Sequence, residues 1–63
     1  MKRRDLIKIL ETDGWWLKRE GHNHTIYIDG IHNEPISRQK EIDDVLAKKI
    51  IKRRGLKYTP KQK

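Results

Sequence analysis

His24-Thr25-Ile26-Tyr27-Ile28-Asp29-Gly30-Ile31-His32-Asn33-Glu34-Pro35-Ile36 decides the fold. Its first five residues are rich in β-branched and aromatic side chains, which suit a half-buried pleated surface. Asp29-Gly30 is the strongest hairpin signal in the chain, because a type I′ turn needs positive φ at both central positions. Ile31 to Ile36 is therefore expected as an antiparallel partner strand. Pro35 lacks an amide donor and puts that strand at a sheet edge.

Upstream, Trp15-Trp16-Leu17-Lys18-Arg19 suits another strand, with Trp15 and Leu17 on the buried side and Trp16 and Lys18 facing away. Glu20-Gly21-His22-Asn23 is a turn into the central strand. Before it, Leu6, Ile7, Ile9 and Leu10 recur at helical steps, and Asp13-Gly14 is a stop, which predicts a helix over 4–13. Downstream, a helix over about 41–54 is expected, with Ile42, Val45, Leu46 and Ile50 on one stripe. Its acids, Glu41, Asp43 and Asp44, precede its bases, as the helix dipole favours. Gly55 ends it and Leu56 can fold back as a cap contact. The class is α+β in the order α-β-β-β-α, a three-stranded antiparallel sheet with two helices on one face, over residues 1–56. Residues 57–63 are expected to form a basic flexible tail.

With 63 residues there is room for one small core, which excludes a multidomain enzyme or a large cofactor fold. Cysteine is absent, so disulfides, thiolate metal sites and cysteine nucleophiles are excluded together. Sixteen Lys and Arg against nine Asp and Glu leave +7, a field that attracts polyanions. Nucleic acid leads the partner classes, followed by an acidic protein. No apolar run approaches the roughly 18 residues of a spanning helix, and a cytoplasmic protein without membrane partners is expected.

Histidine is the side chain whose ordinary pKa, about 6.5, lets it take and give protons at neutral pH. His22 and His24 stand in Gly21-His22-Asn23-His24, at a turn that exposes backbone and side chains, and Gly21 permits close backbone approach. Two histidines without a nearby acidic third ligand make an incomplete metal site, so no metal and no other cofactor are expected. Trp16 and Tyr27 can stack on unpaired bases if they sit on the uncovered sheet face. Lys48, Lys49, Lys52, Arg53 and Arg54 can follow a phosphate backbone, although dipole and solubility mostly account for them. Alternation puts His24 on the side of Ile26 and Ile28, which is expected to be the helix-covered face, so a reactive His24 belongs at that face's rim.

Four stretches together resemble the HicA-type toxins of HicAB toxin–antitoxin systems. They are Arg4-Asp5-Leu6-Ile7-Lys8-Ile9-Leu10-Glu11 with its exit Asp13-Gly14-Trp15; Gly21-His22-Asn23-His24-Thr25-Ile26-Tyr27; Glu34-Pro35-Ile36-Ser37-Arg38; and the closing helix from Ala47-Lys48 to Gly55-Leu56. The resemblance covers residues 3–56. It implies a fold like the double-stranded-RNA-binding domain, endoribonuclease activity on mRNA and neutralisation by a HicB-type antitoxin. It assigns the catalytic role to His24 and makes His22 an auxiliary contact. Gly21, Asn23, Lys18, Arg19 and Arg38 are expected to contact RNA beside it. A His that commonly follows Arg38 in the family is Gln39 here. The alternative is a non-catalytic RNA-binding domain of the same topology, against which Glu41, Asp43 and Asp44 argue, since they would repel phosphates at the head of the last helix.

Overall fold

A computed structural model of the chain describes residues 1–57. α1 (Arg3–Thr12), β1 (Trp16–Glu20), β2 (His24–Ile28), β3 (Asn33–Ser37) and α2 (Asp44–Arg54) follow in the α-β-β-β-α order. The strands form an antiparallel sheet ordered β1-β2-β3, so β3 is an edge strand, as Pro35 requires. The expected tail lies, beyond Lys57, outside the described residues. Among the described residues no helix is long and apolar enough to cross a membrane.

The helices follow from local chemistry. In α1, Leu6 and Leu10, one turn apart, are fully buried. In α2, the Asp43 carboxylate accepts from the Leu46 amide as N-cap. At the other end Gly55 takes a left-handed φ of 65°, and the Leu56 amide returns to the Ile51 carbonyl at 2.9 Å, burying Leu56. α2 starts later than expected because Glu41 is bridged to Lys2 in extended pairing, and the Ile42 amide donates to the Met1 carbonyl at 2.7 Å. Its stripe is correspondingly narrower. Ala47 and Ile50 are buried, Ile42 joins the core from outside the helix, and Val45 and Leu46 are exposed.

The facing of β2 is reversed from expectation. Thr25 and Tyr27 of β2, with Glu34 and Ile36 of β3, are buried against the helices, while Ile26 and Ile28 face the uncovered side. Polar side chains can take inward positions here because each finds partners. Glu34 accepts from Arg53 at 2.9 Å and from Arg54 at 2.8 Å, which ties α2 to β3. Burial of an unpaired carboxylate would be prohibitive, and the paired one lets the larger Tyr27 and Ile36 set the register. Burial pushes the Tyr27 phenol up from its ordinary value, with Glu11 adding to the shift. Tyr27 is therefore core and no stacking platform, whereas Trp16, opposite Ile28, stands 49% exposed on the open face.

β1 also departs from its expected pattern. Trp15 is buried just ahead of the strand, but Leu17 is 46% exposed, since the core lies under β2 and β3 rather than under this edge. Leu17 pairs with Tyr27 and Arg19 with Ile26, so Lys18 is the extra residue of a bulge. The bulge resets alternation and turns Glu20 toward the side of its partner Thr25.

Candidate functional site

β1 and β2 are joined by a tight turn through Gly21, His22 and Asn23. Glu20 pairs with Thr25, and the Gly21 amide donates to the His24 carbonyl at 2.6 Å, leaving His22 and Asn23 at the tip. Glycine is required by proximity: a Cβ at position 21 would stand 2.7 Å from the His24 carbonyl oxygen. The Gly21 carbonyl in turn accepts from Arg38 Nη1 at 3.0 Å. The segment after β3 is thereby tied to the turn before β2.

His24 opens β2 and lies opposite Ser37, the last residue of β3. His22, Asn23, His24, Ser37, Arg38 and Gln39 surround an open depression of about 630 Å³ at this end of the sheet. The His24 side chain is solvent-exposed, on the same face as Ile26 and Ile28. That face is the uncovered one, so alternation holds through His24 and no rim position is needed. Arg38 is held on two sides, by Gly21 and by Glu20 Oε1 at 3.2 Å. The planar guanidinium keeps Nη2 and Nε for a ligand.

A polar layer braces this end from within. Thr25, 1% exposed, donates through Oγ1 to Glu20 Oε1 at 2.9 Å and accepts from Arg3 Nη2 at 2.6 Å. Arg3 Nε donates to the Ser37 carbonyl at 2.9 Å. One guanidinium at the start of α1 thus joins the first residues of β2 to the last of β3. A buried hydroxyl left without these partners would cost about 1–3 kcal/mol, so the layer fixes the spacing of His24 and Ser37.

Of the residues singled out in the sequence, the structure gathers His22, Asn23, His24 and Arg38 around one depression, with Gly21 shaping its turn. Lys18 and Arg19 are exposed on β1 and do not line it. Ser37 and Gln39 do line it, although neither is expected as a contact from the sequence; the correct pairing of β2 with β3 would have found Ser37. Arg53 and Arg54 are engaged with Glu34, which accounts for that end of the basic run in α2.

His32 sits in the other hairpin loop, where Asp29 accepts from the Ile31 and His32 amides at 2.8 and 2.6 Å and lies 3.2 Å from His32 Nδ1. First the His32 amide and then the Ile31 amide hold the Asp29 carboxyl at about 2. Among the described residues no three His, Asp or Glu side chains gather as a metal site.

The arrangement can present an imidazole and an anchored guanidinium to a phosphodiester. A family model described as the HicA toxin of bacterial toxin–antitoxin systems matches residues 3–56. No curated protein and no solved structure matches the chain. Because the family match runs from the first residue of α1 to the Leu56 cap contact of α2, taking in every element of the fold, the chain belongs to the HicA toxin family of bacterial toxin–antitoxin systems, and an antitoxin partner is implied.

Proposed function

We propose that the protein is an mRNA interferase, a metal-independent endoribonuclease that cuts single-stranded mRNA with His24 and is neutralised by a HicB-type antitoxin. One observation carries this: the exposed His24 ring shares its depression with Arg38, whose guanidinium is anchored by Gly21 and Glu20. Transesterification needs no nucleophile from the protein. The ribose 2′-oxygen bonds to the adjacent phosphorus, and the bond from phosphorus to the 5′-oxygen breaks. A base takes the 2′-hydroxyl proton, and an acid gives a proton to the departing 5′-oxygen. A neutral imidazole fills the first role and an imidazolium the second. Arg38 meets the non-bridging oxygens, where negative charge gathers in the transition state. His22 and Asn23 contact the strand at the turn tip, and Lys18 and Arg19 offer phosphate contacts along β1.

The α-β-β-β-α order resembles that of a double-stranded-RNA-binding domain, but a duplex reader fits less well. The segment leading into α2 carries Glu41, Asp43 and Asp44, whose charges oppose phosphates. The antitoxin draws on the same positive field as the RNA and covers the His24 depression.

The test uses purified protein and His24→Ala on a defined unstructured transcript in EDTA. Wild type leaves 2′,3′-cyclic phosphate ends, and the variant slows by about 10²–10⁴-fold while staying folded and antitoxin-bound. A rising limb of kcat/KM with pH makes His24 the base, and a falling limb makes it the acid. Undiminished cleavage by His24→Ala removes His24 from the reaction. Wild type that shifts duplex RNA but leaves the transcript intact establishes the non-catalytic reading instead.

A further inference from the structure

A second concavity adjoins the first. Lys2, Arg3, Arg4, Arg38, Lys40 and Glu41 line a depression of about 540 Å³ between the start of α1 and the segment joining β3 to α2. Arg38 lines both depressions. The trough is preorganised, because its two sides are joined through the backbone: the Arg3 amide donates to the Lys40 carbonyl at 2.7 Å.

Five of its six lining residues are cations, and their compensation is uneven. Arg38 lies 3.2 Å from Glu20, and Lys2 lies 3.7 Å from Glu41. Arg3 bonds only to the neutral oxygens of Ser37 and Thr25. Arg4 and Lys40 are exposed and have no carboxylate partner among the described residues. The charges of Arg3, Arg4 and Lys40 thus collect beside the candidate cleavage site with no carboxylate paired to them among the described residues.

We infer that this trough is a phosphate subsite for the RNA strand flanking the scissile bond. In a strand cut at His24, which is the reading this depends on, the backbone crosses Arg38 and enters the trough, where Arg4 and Lys40 meet the next phosphates. The chemistry favours a polyphosphodiester over an acidic protein segment. No apolar or aromatic side chain lines the trough, and protein interfaces are centred on such anchors, whereas phosphate positioning requires only spaced cations.

Binding is measured in the His24→Ala background, so that no strand is cut and the outcome does not depend on His24 being catalytic. A labelled single-stranded oligouridylate is titrated over a range of salt concentrations against His24→Ala and against the same protein with Arg4→Gln and Lys40→Gln. Every phosphate that is no longer neutralised makes the slope of log K against log salt shallower by about 0.7, so the double substitution flattens it by about 1.4. Arg4→Lys, which keeps the charge, leaves the slope as it was. With His24 intact, the preference in kcat/KM for the oligouridylate over a dinucleoside monophosphate falls about tenfold in the double variant, as for two exposed charge pairings. An unchanged salt slope with the thermal midpoint preserved overturns the subsite, and so does an unchanged slope accompanied by failure to bind antitoxin. Absence of cleavage by wild type, with the slope still flattened, separates failure of the ribonuclease reading from failure of the trough.

Discussion

The two hairpin loops sit at opposite ends of the sheet, and each carries histidine, yet they treat their polar groups in opposite ways. The β2–β3 loop closes on itself. Asp29 accepts from two amides of its own loop and stands against the His32 ring. The β1–β2 loop has no acid at its tip. Its Gly21 carbonyl goes to Arg38, and the rings of His22 and His24 have no hydrogen-bond partner among the described residues. A histidine whose partner lies three residues away in its own loop is part of the fold, whereas one facing a depression beside an anchored cation is available to a ligand. Residue type alone does not distinguish them.

Exchanging the substitutions between the loops breaks or sharpens that contrast. The largest effect is expected at the histidines. His24→Ala lowers the cleavage rate by about 10²–10⁴-fold, while His32→Ala leaves it within about twofold, each measured on the same transcript. Comparable losses at both positions would end the distinction between a structural and a reactive imidazole.

The glycines come next, because the loops need them for different reasons. At Gly21 a methyl group would press on the His24 carbonyl at 2.7 Å, and the obstacle is backbone. Gly21→Ala therefore displaces the turn that carries His24, costs about 1–3 kcal/mol and reduces cleavage up to about 100-fold. At Gly30 the constraint is a left-handed φ of 97°, and an added Cβ would meet only the Trp16 ring at an ordinary 3.6 Å. Gly30→Ala costs about 1–2 kcal/mol in a melt and leaves cleavage within about twofold. Equal activity in the two variants would mean that the geometry of the first turn does not matter to the reaction.

The same contrast explains which parts of the molecule are legible in the sequence. Element order, the edge position of Pro35 and the C-terminal ends of both helices follow from local rules, because Asp13-Gly14 and Gly55-Leu56 act within a turn of themselves, whereas the start of α2 is delayed by the long-range pairing of Glu41 with Lys2. The β2–β3 register does not. A two-residue turn at Asp29-Gly30 would set Ile28 against Ile31 and His24 against Pro35. Asp29 has no positive φ, and its side chain instead caps a four-residue loop that sets Ile28 against Asn33 and His24 against Ser37. Facing is hidden for a related reason. Hydrophobicity favours Ile26 and Ile28 as the inner pair, but Thr25 and Glu34 are satisfied by Arg3, Arg53 and Arg54, which are 19 to 22 residues away. Partners at that separation leave no local pattern. Gly21, His24 and Arg38 are readable as residues, while the anchoring of Arg38 by Gly21 and Glu20 requires the bulge at Lys18 and the true turn.

The smallest effect belongs to the closed loop and concerns protons. Asp29 is held at about 2 against an ordinary 3.8, mainly by the His32 and Ile31 amides, with the His32 ring adding to the pull. A carboxyl whose pKa is depressed in the folded chain contributes stability that is complete above its unfolded value. That stability is lost as pH falls through the folded one, so the window runs from about pH 4 down to about pH 2. The group is partly exposed, and screening keeps the contribution small. Asp29→Asn retains an oxygen for both amides but has no proton to bind there. Thermal midpoints recorded through the window should fall more steeply for wild type than for Asp29→Asn, with cleavage at neutral pH unaffected. Parallel curves would mean that amide donation to a neutral oxygen suffices to close the loop, and that charge is not what separates His32 from His24.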